Sequence, residues 1–364
     1  MSDQGAVHSG KQQSVFKRFL KVSLQLIVMV VMFAVLLWYV GINELYVVLL
    51  TIKIEYLMLA FLMYFGINVL FALRLQRILK KDNIKTSFKK TLFAQYAGML
   101  TSDVTPGRSG YILTPVYLRD QNVPTPKSLS AILGIQTIEF LIKVTGGIGA
   151  VIYLIKYVPA TTWSVIFPQT IVGVNIGVMV AVFGIILMLV GAILLALCTW
   201  SKKALVIFTK IANIRFIRRF TGGLISKLEE FKDSAHNTKK AVPEILILTL
   251  TCWILKGFEW WFLGIAIGIN IPWIAFFLIH PLVTALAFVP LTPAGIGVQE
   301  FGIVGILGLL GIPVATAGAF AIIARGLLII EDLIGLPHIV KSTSLLFTHK
   351  KSIQTTENST TLSS

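Results

Sequence analysis

Thr105-Pro106-Gly107-Arg108-Ser109-Gly110 and Thr292-Pro293-Ala294-Gly295-Ile296-Gly297 each interrupt a long apolar stretch. A mostly apolar run follows each, and each run ends in a proline step, Val123-Pro124 and Ile312-Pro313. Helix breakers in sequence of lipid depth are tolerated only where the freed backbone is buried in protein or lines a cavity. Two such breaks in corresponding places point to a binding site at the interface of two repeats, as in transporters.

Working outward, the chain has 364 residues, 56% of them hydrophobic and 13% charged. A soluble domain carries about 25% charged residues. Runs long enough to cross a bilayer fall at 22–40, 57–73, 128–155, 166–198, 245–268 and 314–337. Between the second and third lies 91–119, broken at the first Thr-Pro turn. Between the fifth and sixth lies 272–310, broken at the second. The shortest arms of these segments reach only about 20 Å at 1.5 Å per residue, against a core of about 30 Å. The expected fold is therefore all-α: a polytopic membrane protein with about six full spans and two re-entrant helical hairpins, about eight membrane segments in an inverted repeat. Short full crossings in place of the hairpins would leave the parity unchanged.

The expected organisation is a disordered N-terminus over 1–16, one membrane domain over 17–345 and a disordered tail over 346–364. The repeat halves are placed at 57–198 and 244–340, with a basic loop over 201–243 between them. The run from Val22 to Val40 is long for a signal-peptide core and no Ala-x-Ala site follows it, so it reads as a retained span.

Charge sets the orientation. With the N-terminus inside, Lys53 and Lys156 fall outside and Arg108, Lys143, Lys256 and Arg325 fall at membrane depth. Every other Lys and Arg lands on the cytoplasmic side, as the positive-inside rule requires. The formal net charge of +16 thus reports topology and anionic lipid rather than nucleic acid. The expected location is the plasma (inner) membrane with both termini cytoplasmic. In this layout the first hairpin enters from the cytoplasm and the second from the opposite side. The 201–243 segment interleaves basic and apolar residues. It reads either as an amphipathic helix on the inner leaflet, as a plain connecting loop, or as a landing site for a soluble lipid-modifying enzyme.

Thr105 and Thr292 precede prolines and read as helix N-caps, so that each hairpin's second helix begins at the break. The free N–H groups of such a start attract anions, phosphate included. Gly107, Gly110, Gly295 and Gly297 would let a ligand approach the backbone, or else let helices pack closely. Arg108 is a candidate phosphate contact or a structural ion-pair member. Arg325, mid-span, needs a partner, and Glu300 or Glu139 can serve. Glu300 also sits where a helix dipole favours a carboxylate. Glu139 and Lys143 are spaced to neutralise each other, as are Lys256 and Glu259. Gln136 and Gln299 complete a candidate gate or ion-pair set. Glu331 and Asp332 are placed near the inner interface, where charge costs less. Cys198 and Cys252 read as packing residues, and the five histidines form no ligand set. No metal, cofactor or nucleotide-binding loop is expected. No nucleophile–base constellation is evident, which argues against an enzyme. The outer-loop acids Glu44 and Glu55 are thin support for a membrane transferase.

These motifs resemble the membrane region of lysylphosphatidylglycerol synthases, a family that also occurs as stand-alone flippase-like proteins. The family's first motif, Pro-Gly-Arg-x-Gly-Glu, is met by Pro106, Gly107, Arg108 and Gly110, with Tyr111 in place of the acid. Gln136 and Glu139 stand where an Arg-x-x-Asp is usual. In the second motif Pro293, Gly295, Gly297, Val298, Glu300, Gly311, Pro313 and Arg325 match, while Ala294 and Gln299 depart. The resemblance runs from about 15 to 345. It implies eight or so membrane segments and lipid translocation between leaflets. It also implies, in full-length relatives, a soluble aminoacyl transferase domain, which the short polar tail after Lys341 has no room for. The expected function is transport of an anionic phospholipid or polyprenyl-linked headgroup. The alternatives are a lipid-modifying transferase or its membrane accessory subunit. Thr105, Gly107, Arg108, Gly110, Thr292, Gly295, Gly297, Glu300 and Arg325 are the expected substrate contacts.

Overall fold

The computed structural model describes residues 27–105, 107–166, 168–171, 174–201, 224–287, 292–293 and 295–342. The expected disordered ends, Pro106, Ala294 and most of the basic segment lie outside them. The fold is nearly all-helical. In chain order the helices are α1 Ile27–Val40, α2 Ile42–Leu50, α3 Ile54–Lys81, α4 Phe88–Asp103, α5 Thr114–Tyr117, α6 Thr125–Tyr157, α7 Ala160–Ile166, α8 Ile176–Trp200, α9 Leu224–Lys240, α10 Val242–Ala266, α11 Trp273–Ala287, α12 Val298–Leu309 and α13 Val314–Asp332. A two-residue hairpin, β1 Thr170–Ile171 with β2 Val174–Asn175, joins α7 to α8.

Four helices, α3, α6, α8 and α10, are each long and apolar enough to cross a bilayer, and the pair α1–α2 makes a fifth if its 75° bend is counted within one span. This is a polytopic membrane protein. The expected spans map onto these helices with local differences. The first run bends at Gly41, whose φ of 84° ends α1. The fourth begins ten residues late at Ile176, because Asn175 caps it by accepting the Gly177 N–H at 2.9 Å. The sixth ends as an α-helix at Asp332 and passes into a 3-10 turn, Leu333–Gly335. Large apolar side chains of α8, among them Phe183, Ile193 and Leu194, face outward, as a lipid-facing helix requires.

Each broken segment returns to the end it left. The Ser87 N–H, before α4, donates to Gln121 Oε1 at 2.9 Å, closing 88–121 into a hairpin. Ile271 and Pro272, before α11, share a groove with Leu309, Leu310 and Gly311, after α12. The two closures lie at opposite ends of the helix pair α3–α10. The first shares its end with the Lys81–Glu244 ion pair, 2.9 Å, that joins the C-terminus of α3 to the N-terminus of α10. The second shares its end with Tyr153 and Tyr157 of α6. The packing is also reciprocal. Helix α3 packs on α10, α6 of the first half packs on α11 of the second, and α13 of the second packs on α4 of the first.

The basic segment is described only at its C-terminal end. Residues 202–223 lie outside the described set, and α9 is docked on the protein along one face. Phe231, Ser234, Ala235 and Thr238, spaced as one helix face, turn inward against Leu129, Leu133 and Trp200. Asp82, at the C-terminus of α3, accepts from Asn237 Nδ2 at 2.7 Å and from Ser234 Oγ. Lys232, His236, Lys239 and Lys240 face out.

Candidate functional site: a charged cavity between the two turns

The first turn is not a helix start. Thr105 does not cap a following helix: its hydroxyl donates back to Thr101 O at 3.0 Å and accepts the Gly110 N–H at 2.6 Å. Arg108 adopts a left-handed conformation, φ 53°, and a 3-10 turn over Ser109–Leu113 follows. Ser102 Oγ donates to Arg108 O at 2.9 Å, which fixes the turn against the end of α4. The chain is thereby folded so that the Arg108 side chain points inward and is only 14% exposed.

The second turn is followed by a helix, but that helix starts at Val298 rather than at Pro293. Its N-cap is Gly297, at φ 86°, a conformation that costs L-residues with a Cβ. Glu300 folds back to accept the Gly297 N–H at 2.6 Å. The helix end therefore carries its own carboxylate and is not open to an anion. Thr292 is wholly buried and its hydroxyl has no hydrogen-bond partner among the described residues.

Between the turns lies a cavity of about 120 Å³. Tyr64, Phe71 and Arg74 of α3, Met99 of α4, Arg108 and Tyr111, Gln136, Glu139 and Lys143 of α6, Trp253 and Lys256 of α10, and His280 and Thr284 of α11 form its walls. A smaller adjoining cavity of about 40 Å³ shares Arg108, Lys256, His280 and Thr284 and adds Glu259, Gln299, Glu300 and Arg325. Arg108 from the first turn and Glu300 from just after the second thus both line the smaller cavity.

The ion pairs are short and buried. Arg108 Nη2 lies 2.6 Å from Asp103 Oδ1. Lys256 Nζ lies 2.5 Å from Glu259 Oε2 and 4.3 Å from the Tyr64 ring centroid. Arg325 Nε lies 2.6 Å from Glu300 Oε1, and its Nη2 donates to Gln299 Oε1 at 2.9 Å. Glu300, of the two partners the sequence offered, is the one Arg325 takes. Arg74 Nη2 lies 3.8 Å from Glu139, which also accepts from Gln136 Nε2 at 3.0 Å. Arg74 Nη1 donates to Thr249 Oγ1 at 2.7 Å. Lys143 lines the same wall.

The structure therefore brings Arg108, Gln136, Glu139 and Lys143 into the larger cavity, and Gln299, Glu300 and Arg325 into the smaller. Thr105, Gly107, Gly110, Thr292, Gly295 and Gly297 shape the turns but line neither. Sequence reasoning placed Arg74 among cytoplasmic cations; it is 1% exposed. The signal was present, since Leu75, Ile78 and Leu79 continue the apolar face beyond it. Glu331 and Asp332, expected near the inner interface, are wholly buried within the protein. Tyr96 Oη donates to Glu331 at 2.9 Å, and Tyr64 Oη donates to both Asp332 oxygens at 3.1 and 3.0 Å. Asp103 went unremarked, and a cation five residues later was the clue. Among the described residues no three His, Cys, Asp or Glu side chains converge as metal ligands.

A UPF0104 membrane protein of Pyrococcus horikoshii is 22% identical over 295 residues, covering 77% of this chain and 85% of that relative. A UPF0104 membrane protein of Methanothermobacter thermautotrophicus is 24% identical over 159 residues, covering 40% of this chain and 47% of its own length. The family model described as the lysylphosphatidylglycerol synthase TM region matches residues 22–333, a match that takes in both turns, their ion pairs and the cavity between them. The chain belongs to the lysylphosphatidylglycerol synthase transmembrane-region family.

Proposed function

We propose that this protein is a lipid carrier of flippase type. It moves a phosphate-bearing headgroup, from an anionic phospholipid or a polyprenyl-linked lipid, between the leaflets of the plasma membrane. The observation that carries this reading is the cavity itself. Five cations, Arg74, Arg108, Lys143, Lys256 and Arg325, line it and the smaller cavity adjoining it, against the carboxylates Glu139, Glu259 and Glu300, with Asp103 behind Arg108. The balance is one positive charge, at a depth where charge is expensive unless functional.

Arg108 holds the phosphate, since a guanidinium matches its planar, bidentate geometry. Ile67, Phe71, Met99, Ile142, Trp253 and Leu328 supply apolar wall beside the charge, suited to the first part of an acyl or prenyl chain. The reciprocal packing of α3 on α10, α6 on α11 and α13 on α4 supports two halves related by an axis in the membrane plane. Rocking one half against the other alternates access to the shared cavity. The cationic ends of α3 and α9 face the cytoplasm by the positive-inside rule. In this reading the chain is a carrier rather than a transferase, and the outward lysines of α9 offer anionic lipid or a partner enzyme a landing surface.

The test is lipid translocation in proteoliposomes loaded with fluorescent phosphatidylglycerol, or with a fluorescent polyprenyl phosphate. Wild type should exceed protein-free vesicles for at least one of the two, and Arg108→Ala should fall to the protein-free rate. Wild type indistinguishable from empty vesicles with both lipids refutes the reading.

A further inference from the structure

His280 is a cavity residue that the carrier reading leaves without a task. It stands in the middle of α11, is 8% exposed and lines both cavities. Its ring lies edge-on to Trp260 of α10, with 4.8 Å between centroids and 88° between planes. Neither ring nitrogen has a hydrogen-bond partner among the described residues. Polar groups beside it are engaged within the protein. Tyr111 Oη donates to Gln95 Oε1, Gln136 Nε2 to Glu139 Oε2 and Thr284 Oγ1 to Pro281 O. A polar group is costly to bury without a partner, so these free nitrogens call for one that the protein itself does not supply.

The backbone here is built to hold that ring in place. Pro281 follows in the interior of α11 and has no N–H to give, which leaves Phe277 O without its helical donor. Trp253 Nε1 of α10 donates to that oxygen at 2.9 Å, and the Trp253 and Phe277 rings stack 4.3 Å apart. A Cβ added at Gly146 of α6 would lie 2.5 Å from the Trp253 ring and 2.7 Å from Pro281, so α6 closes on the same joint. Helices α6 and α10 thus fix the stretch of α11 that carries His280.

Around the ring the cavity offers donors. Arg74, Arg108, Lys143 and Lys256 carry N–H groups and no acceptor, which suits phosphate oxygens. The carboxylates Glu139 and Glu259 are held in ion pairs. A headgroup hydroxyl beside the phosphate needs an acceptor as well, and a neutral imidazole has one donor and one acceptor nitrogen. We propose that His280 reads such a hydroxyl, so that the carried lipid is a phosphate diester whose headgroup bears hydroxyl groups, as glycerol or a sugar does. This deepens the carrier reading and rests on it. A headgroup without the hydroxyl leaves the buried nitrogen unsatisfied, and discrimination arises at this residue rather than at Arg108.

The test uses the full chain in non-ionic detergent and two lipids of equal charge and chain length. These are dihexanoyl phosphatidylglycerol and dihexanoyl phosphatidylpropanol, which lacks the hydroxyls. Titration calorimetry should show wild type binding the first about tenfold more tightly. His280→Phe, which keeps a ring against Trp260 but no nitrogen, should bring the two affinities together by weakening phosphatidylglycerol. His280→Gln, whose amide again offers a donor and an acceptor, should restore part of the difference. A second pair, glucosyl farnesyl phosphate and methyl farnesyl phosphate, tells a sugar on a polyprenyl lipid from glycerol on a phospholipid. Wild type that binds both members of each pair equally overturns the inference and leaves the carrier reading standing. So does a His280→Phe variant that weakens both members in parallel, which would make His280 a phosphate contact. Failure of wild type to bind any of the four lipids overturns the carrier reading as well.

Discussion

The Arg325–Glu300 pair offers a quantitative test of how the second turn is built. Its members are 10% and 2% exposed, and Glu300 also closes the start of α12 through the Gly297 N–H. Glu300→Ala strands a guanidinium in the protein interior, a change that costs about 3–5 kcal/mol. It also removes the cap, worth a further roughly 0.5–2 kcal/mol. Arg325→Met strands the carboxylate instead, at about 3–5 kcal/mol, but leaves the cap in place. The double variant has no stranded charge. It should lose mainly the cap and some packing, far less than the sum of the singles. The interaction energy between the two positions should therefore be at least about 2 kcal/mol, near the upper range for residues in contact. The measurement is unfolding free energy in mixed micelles for wild type, both singles and the double. Additivity to within about 0.5 kcal/mol would show that the two side chains do not act as a buried pair, and the reasoning would fail.

Other perturbations read separate parts of the molecule. Arg108→Lys keeps a point charge but loses the fork, so translocation should fall about ten- to a hundredfold, the equivalent of about 1.5–3 kcal/mol for a charge-assisted hydrogen bond, yet exceed Arg108→Ala. Gly335 lies where an added Cβ would meet the backbone of Tyr96 and Ala97, so Gly335→Ala should destabilise by about 1–3 kcal/mol, whereas Gly326→Ala, mid-helix with open space, should stabilise by about 0.5–1 kcal/mol; thermal unfolding in detergent compares them. Asp82→Ala frees Ser234 and Asn237 and should loosen α9, seen as faster proteolytic cleavage within 230–240; an unchanged cleavage rate would mean that the apolar face alone holds the helix.

The spans were legible because a bilayer imposes length and apolarity on a sequence more strictly than a soluble core does. Helices α6 and α10 begin and end within three residues of the expected runs, and α3 begins within three but continues to Lys81, eight residues past its expected end. The breaks at Thr105 and Thr292 were legible for the same reason, since proline and glycine at such depth have few explanations. What happens after each break was not. A Thr-Pro pair reads as a helix start, but in the first turn Thr105 satisfies its neighbours' backbone groups instead, and in the second the helix waits for Gly297. Local propensity cannot choose between these outcomes, because tertiary contacts decide them. Buried charge was half legible. Arg325 and Lys256, isolated in apolar runs, demanded partners and have them. Arg74, Glu331 and Asp332 sit where an apolar run meets a polar one, and a linear sequence does not show which side of that border a side chain turns to.

The two turns share a pattern but divide the work, and the reason lies in one position. In the second turn Glu300 supplies the charge that a ligand would otherwise bring: it occupies the Gly297 N–H and holds Arg325, which Gln299 also grips. That turn is internally satisfied and suits a rigid strut. In the first turn the matching acid is absent. Tyr111 stands there, and its hydroxyl donates to Gln95 Oε1 at 2.9 Å. Arg108 takes a carboxylate from behind, Asp103, at 2.6 Å. Arg108, paired with Asp103, stands on the wall of the larger cavity, whereas Arg325, paired with Glu300, lines the smaller one.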